Sequence, residues 1–528
     1  MASLKSLAKD TAIYGLSSIV GRFLNYLLVP LYTARISAAS GGYGVVTEIY
    51  SYTALFFVIL TFGMETSLFR FINRSDEDNP QRVYTTALFA VGTVALCFLT
   101  IVGLALPSIS GAMGYATHPE YVMTMACVVA LDAFQAIPFG YLRYQKRPIR
   151  FALLKTGFIV LNIALNLIFF LILPDMIPGW TTTVGHIFYI NLFCTGIITL
   201  GFWREIFGLR WQIDFALLRR MLSYAWPILI LGIAGILNQT ADKIIFKHVM
   251  PGKEGEVQLG IYGAGVKIAM IMAMITQAFR YAYEPFVFAS NRSDDEADKR
   301  HTYADAMKFF VIFTLLAFLC VVGYMDILKH LIGSDYWPSL KAVPIVMVAE
   351  ILMGIYFNLS FWYKLTDRTI WGAWFSGAGC IILIATNIIF IPQYGFMACA
   401  WGGVAGYGTA TLLSYFVGQH YYPIDYPLRR IGGYALLTAG LYAVMTCTAD
   451  LVPSAMARIA LNTVLILIFV AAVARYDFPL RLAAKGASFG WDRVEIVAHV
   501  VGELFNPGDY YASSRPAYFV RWQVEFQF

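Results

Sequence analysis

A chain of 528 residues with 59% hydrophobic and only 13% charged side chains falls outside the range of soluble domains, in which about a quarter of residues are charged. Its net charge of +6 is small for this length, so neither a disordered polyelectrolyte nor a nucleic-acid binder fits. With 16% aromatic residues and a mean hydropathy of +0.65, the composition excludes a soluble enzyme and predicts many membrane spans joined by short loops.

Apolar runs of about 20 to 30 residues are long enough to cross a hydrocarbon core of about 30 Å as helices, and the sequence contains fourteen. The first six cover 11–33, 43–72, 83–107, 120–142, 151–173 and 185–206. The next eight cover 222–249, 259–289, 306–330, 341–363, 371–392, 395–420, 432–450 and 456–476. The first run follows Lys5 and Lys9 in the manner of a signal peptide. It is long, carries Arg22 and Asn25 and lacks a convincing cleavage site, so it is expected to remain as an anchor.

Orientation follows from Lys and Arg in the short loops. With the N-terminus inside, 20 of these residues fall on the inner side and 6 on the outer side or its borders. A cytoplasmic N-terminus is therefore predicted, and an even number of spans returns the C-terminus to the same side. The seven cysteines lie in apolar runs with no CxxC pair, and no histidine has a second ligand at metal spacing. They read as packing residues, so neither a metal nor a resident cofactor is expected.

An internal repeat organises the spans. NRSDEDNPQR follows the second (Asn73 to Arg82) and NRSDDEADKR follows the eighth (Asn291 to Arg300). Tyr43-Gly44 and Tyr262-Gly263 open these spans, and Glu65 and Glu284 stand at the same offset of 219 residues. Six spans separate the copies, so the halves share orientation and enclose a central cavity. The domains read as an N-terminal lobe over 1–210 (spans 1 to 6), a C-terminal lobe over 211–431 (spans 7 to 12), two additional spans over 432–476 and a cytoplasmic tail over 477–528. In the tail Val494, Val497, Ala498, Val501 and Leu504 share one helical face, which predicts a short helix at the membrane surface. The fold class is all-α and polytopic, with about fourteen transmembrane helices in two parallel six-helix lobes plus two C-terminal helices.

Five strings carry a family resemblance: GGYG at 41–44, NQTADKIIF at 238–246, LGIYGAGVKIAMI at 259–271, Glu284-Pro285, and NIIFIPQYGFMACAWGG at 387–403. Over residues 5 to 475 the sequence resembles the polysaccharide transporters, the Wzx-type lipid-linked oligosaccharide flippases of the multidrug/oligosaccharidyl-lipid/polysaccharide exporter superfamily. The resemblance implies two lobes that open alternately inward and outward in a bacterial inner membrane. It implies an undecaprenyl-pyrophosphate-linked glycan as cargo, membrane lipids as partners, and a glycan polymerase or glycosyltransferase acting beside it. Lipid II flippases of the superfamily carry several arginines in their first two helices. This chain has only Arg22 deep in that region, which points to a glycan other than a peptidoglycan precursor.

Ionisable groups deep in a span cost at least about 2.5 to 3.5 kcal/mol on insertion scales, so they face a partner or a wet cavity. Arg22 and Lys267 lack a carboxylate at helical spacing and belong to opposite lobes. With Arg280 they are the candidate cations for a pyrophosphate, since guanidinium and ammonium groups are its natural donors. Arg280 and Glu284 stand four apart on one helical face, which also suits an intrahelical pair. Asp132, Asp242, Glu284, Glu350 and Glu65 are the candidate acidic residues of a cavity or of coupling to Na⁺ or H⁺, which the sequence leaves open. Asp242 and Lys243 point about 100° apart on a helix, so they are not expected to neutralise each other. Glu48, Asp132, Asp242 and Glu350 keep a cation-coupled multidrug antiporter of the same fold open as the alternative, which a mainly acidic and aromatic cavity would fit. A membrane glycan polymerase is disfavoured because the outer loops are about a dozen residues or fewer.

Overall fold

The computed structural model describes residues 28–73, 79–208, 211–290, 296–366, 368–449 and 451–477, with backbone alone for 281–290 and 296–298. Among these residues the structure is helical and contains no strand. The principal helices are α1 (Leu28–Arg35), α2 (Gly42–Thr61), α3 (Met64–Ile72), α4 (Pro80–Leu104), α5 (Pro119–Tyr144), α6 (Pro148–Leu167), α7 (Val184–Gly201) and α8 (Phe215–Val249). They continue with α9 (Lys253–Ser290), α10 (Glu296–Gly323), α11 (Val343–Leu359), α12 (Phe361–Leu365), α13 (Ile370–Tyr394), α14 (Phe396–Tyr421), α15 (Leu428–Ala449) and α16 (Ala455–Tyr476).

Among the described residues twelve helical stretches are long and apolar enough to cross a membrane. Two other predicted spans stand apart from these for identifiable reasons. The 26-residue α14 has the length, but its glycines and polar residues dilute its hydropathy. The first predicted span lies mostly before residue 28, outside the described residues, as do Arg22 and the tail from 478 onward.

Helix starts follow local chemistry. Helices α4, α5 and α6 each place Pro in the first turn, where its missing N–H leaves no bond unmade. Asp214 caps α8 by accepting from the backbone N–H of Ala216 at 2.8 Å and of Leu217 at 3.1 Å, and Arg82 pairs with the same carboxylate.

The described residues form two compact units, 28–264 with 387–396 and 265–386 with 397–477. In the first, α5 packs against α2, α4 and α7, and α8 runs along α2. Its core includes Met64, Leu68, Val83, Ala133 and Ile137, all fully buried, and Tyr84 stacks on Tyr141 at 4.0 Å. The predicted lobe boundary at 210/211 is a division of the sequence repeat; α8, the first helix beyond it, packs in this unit. In the second unit α10 packs against α11, α15 and α16, so the two helices that stand outside the repeat are docked on a helix within it. Asn462 Nδ2 donates to the carbonyl of Gly323 at 2.8 Å at that junction. Leu104, Leu436 and Met456 are each at least 75% exposed, as expected where acyl chains are the solvent.

Candidate functional site

The second predicted span is broken. Phe62 (φ 35) and Gly63 (φ 71) are both left-handed, which ends α2 and restarts the chain as α3. The break places Glu65 in the first turn of α3, where a carboxylate faces the positive end of the helix. Arg143, in the last turn of α5, reaches across to pair with Glu65, and its guanidinium lies 5.0 Å from the Phe69 ring centre.

This pair borders a recess of about 400 Å³ within the first unit, with Asp132, Gln135, Phe139 and Lys155 among the other lining residues. Lys155 Nζ stands 4.6 Å from the Phe139 ring. Polar groups of α7 continue the lining: Gln135 Nε2 donates to the Thr195 carbonyl at 3.0 Å and to Thr199 Oγ1 at 2.7 Å. The Thr195 hydroxyl makes a long contact of 3.4 Å with Asp132. Farther along, Asn191 Nδ2 donates to the Tyr50 hydroxyl at 2.8 Å. Two carboxylates and two cations balance around the recess, which suits a site that exchanges a small cation or proton.

A second ionic assembly lies in the same unit at the helix ends predicted to face outward. Lys247 Nζ is 3.5 Å from Glu48 Oε2 and 3.2 Å from Glu256 Oε1, and 3.6 Å from the Tyr115 ring centre. The Tyr115 hydroxyl donates to Glu48. Burial, and then the Glu48 carboxylate it faces, hold that phenol far above its ordinary range, so it remains a donor. Beside this knot α2 and α9 cross backbone on backbone. A Cβ on Gly44 would fall on the carbonyl oxygen of Glu256, and one on Gly260 would come within 2.8 Å of the Gly44 nitrogen.

Of the residues singled out in the sequence, Glu65 and Asp132 share the first-unit recess. Arg280 lines a second recess within the other unit, together with Lys364. Asp242 lines neither recess; its carboxylate accepts from the Tyr262 hydroxyl at 2.8 Å and from Lys243 at 3.0 and 3.1 Å. The expectation that Asp242 and Lys243 do not neutralise each other is corrected here, because the lysine's four-carbon stem bends back across the angle between adjacent side chains. Lys267 and Glu350 are half-buried in α9 and α11, and each is engaged within the protein. Arg22 and the Glu284 side chain lie outside the described residues.

Sequence reasoning did not single out Arg143, Lys247 or Lys364 as site residues. Arg143 and Lys364 end their spans and read as loop charges, and only their distance in sequence from their partners hides them. Among the described residues no cluster of three or more His, Cys, Asp or Glu could hold a metal, and all seven cysteines are free thiols.

An all-helical, multi-pass bundle with charged recesses inside it has the architecture of a membrane transporter. Residues 7–282 match the profile of the family described as "Polysaccharide biosynthesis protein". More than half of the chain is matched, and the protein belongs to that family. No curated protein matches the sequence. Among solved structures, lipid II flippase MurJ in an inward closed conformation superposes with a TM-score of 0.69 at 13% identity, covering 88% of this chain and 98% of that one. An inward-facing multidrug resistance MATE transporter of the MOP superfamily gives 0.60 at 16% identity, covering 78% and 97%. MATE in complex with MaD3S gives 0.52 at 16% identity, covering 78% and 95%. At such identities the likeness establishes a shared fold, the MurJ/MATE-like transporter fold.

Proposed function

We propose that this protein is a flippase that carries undecaprenyl-pyrophosphate-linked oligosaccharide across the bacterial cytoplasmic membrane for surface polysaccharide synthesis. Membership of a polysaccharide-biosynthesis family over residues 7–282 carries this reading, and the transporter fold supports it. Both termini face the cytoplasm in this account, and the repeat-related lobes open alternately to either side without covalent chemistry. The chain takes no nucleic acid; its partners are membrane lipids, the lipid-linked cargo, and a glycan polymerase or glycosyltransferase that makes or uses it.

The backbone crossing of α2 and α9, with the Glu48–Lys247–Glu256 knot beside it, closes the outer end of the path. The balanced recess at Glu65, Asp132, Arg143 and Lys155 takes the coupling ion, Na⁺ or H⁺. Lys267, with Arg22, serves as a cationic contact for the pyrophosphate on its way. Surface polysaccharide in a strain lacking the gene, normalised to membrane protein level, tests the reading. The parent protein restores display and Lys267→Ala loses most of it. Export of cationic drugs with no restoration of polysaccharide would replace the flippase with the antiporter.

A further inference from the structure

Helices α6 and α7 pack side by side in the first unit, and they are clamped at the ends predicted to face the cytoplasm. Arg150, in the first turn of α6, donates to the Glu205 carboxylate at 2.8 Å and to the Gly201 carbonyl at 3.2 Å. The clamp is neutral, and it fixes the segments on either side of it. One is the turn before α6, with Lys146 and Arg147; the other is the short helix Trp203–Phe207 that follows α7, with Arg204. These three cations are exposed, and among the described residues none of them pairs with a carboxylate. The neighbouring Arg143 is taken up by Glu65. The corner therefore carries a surplus of positive charge held on a rigid frame.

Lys146 stands in an unusual place. Its φ is 54, and it lies just past the end of α5, where the Arg147 N–H reaches back to the Leu142 carbonyl at 3.0 Å. Glycine is the usual residue of such a left-handed turn, because a Cβ is disfavoured there. Below the cations the same helices are apolar on the outside. Ile149 and Leu153 on α6, Leu200 on α7, and Trp203 and Phe207 after it are each more than half exposed. One turn deeper, Gly157 and Gly196 have nothing within 4 Å of an added Cβ, which recesses the surface beside these side chains. Trp203 suits the headgroup level, where indole rings concentrate, and the Arg204 guanidinium lies 5.4 Å from its ring centre.

We propose that this corner binds an anionic phospholipid of the cytoplasmic leaflet, with its phosphate held by Lys146, Arg147 and Arg204 and an acyl chain laid along the apolar surface of α6 and α7. Any lipid covers that surface; the unpaired cations above it select one with a net negative headgroup. The bound lipid anchors the end of the first repeat half at the membrane surface, just before the chain passes on to α8. The site is independent of the flippase reading, since a phospholipid is solvent here and not cargo.

The full-length protein, purified in a neutral detergent, is titrated with phosphatidylglycerol, phosphatidylcholine and undecaprenyl pyrophosphate, and bound lipid is counted by native mass spectrometry. Phosphatidylglycerol binds more tightly than phosphatidylcholine. Arg147→Gln and Arg204→Gln each weaken it about fivefold, the usual contribution of one basic side chain at an anionic surface. Lys146→Gly weakens it to a similar extent without lowering the melting temperature, because glycine fits the left-handed turn better, so the loss of binding is not a loss of fold. The variant with all three changes loses most of the preference for phosphatidylglycerol. Arg429→Gln, at an exposed position in the first turn of α15, leaves binding unchanged. Equal binding of the two phospholipids by the parent, or a loss in Arg429→Gln as large as that in Arg204→Gln, means a diffuse charge effect and overturns the proposal. Binding of undecaprenyl pyrophosphate through the same three residues, with no binding of phosphatidylglycerol, also overturns it by giving the site to the cargo.

Discussion

The ammonium of Lys247 stands 3.5 Å from Glu48 Oε2, with the lysine side chain 9% exposed and the glutamate 1%. Because Glu256 approaches the same ammonium at 3.2 Å, this single cation holds two carboxylates, and the three groups are not equivalent. Removing the cation leaves the buried Glu48 and the half-buried Glu256 carboxylates without it, whereas removing one acid leaves an intact ion pair. Breaking a buried pair from one side costs about 3 to 5 kcal/mol. Lys247→Met should therefore lower the melting temperature of the purified protein far more than Glu48→Gln. Equal losses would mean that the lysine is held mainly by the Tyr115 ring.

The glycine crossing gives a second test. A methyl group on Gly44 must displace the Glu256 carbonyl, and overpacking of this kind costs about 1 to 3 kcal/mol. At Gly440, in α15, nothing lies within 4 Å of an added Cβ, and there the gain in helix propensity should stabilise by about 0.5 to 1 kcal/mol. Gly44→Ala should lower the melting temperature and impair transport, and Gly440→Ala should raise the first and spare the second. A harmless Gly44→Ala would show that α2 and α9 are not pressed together in the resting protein.

In the second unit, Arg458 Nε donates to Asp326 Oδ2 and Lys329 Nζ to Oδ1, each at 2.7 Å. The hydrogen bond from Arg458, reinforced by Lys329, holds the Asp326 carboxyl below its ordinary value of 3.8. A carboxyl depressed by folding adds stability that is complete above its unfolded value and is lost as pH falls through the folded one. Asp326→Asn should therefore be less stable than the parent at neutral pH, and the difference should shrink once the pH drops below about 4. Melting curves of both proteins from pH 7 to pH 3 measure this, and a difference that widens in acid would contradict it.

The two C-terminal helices are tied together by Asp477, at the end of α16 beside the start of α15; its side chain is 1% exposed. It lies 3.0 Å from Lys308 Nζ and 3.2 Å from Arg430, and it accepts from the Tyr434 hydroxyl. A chain ending before Trp491 keeps this knot, so it should fold and transport nearly as well as the full protein. Asp477→Asn, which leaves the buried Lys308 short of one partner, should unfold at lower temperature. Severe loss in the truncated chain at normal membrane levels would give the tail a part in the mechanism.

Much of the helical layout was legible in the sequence because a 30 Å apolar core demands long uninterrupted runs, and Glu65 stood out as an acid inside one of them. Its partner did not: Arg143 is 78 residues away and reads as an ordinary loop cation at the end of its span. The break at Phe62 and Gly63 was hidden for the same kind of reason, since the apolar run continues across it and a left-handed phenylalanine has no signature in composition. The Asp242 and Lys243 contact failed on geometry, because helical spacing locates Cβ atoms and not the end of a flexible stem. The Lys247 knot joins residues from three separate stretches of chain, which no periodicity can bring together.

The central claim is translocation of a lipid-linked pyrophosphate glycan, and the most direct measurement is flipping in proteoliposomes made with the purified protein. The cargo is incorporated in both leaflets, and the glycan exposed outside is cleaved by an added glycosidase, with an ion gradient imposed across the membrane. The account predicts that cleavage proceeds past the half available in protein-free vesicles, at a rate that depends on the gradient and falls in Lys267→Ala. Cleavage that stops at the protein-free level, in a preparation that instead accumulates a lipophilic cation, would contradict it.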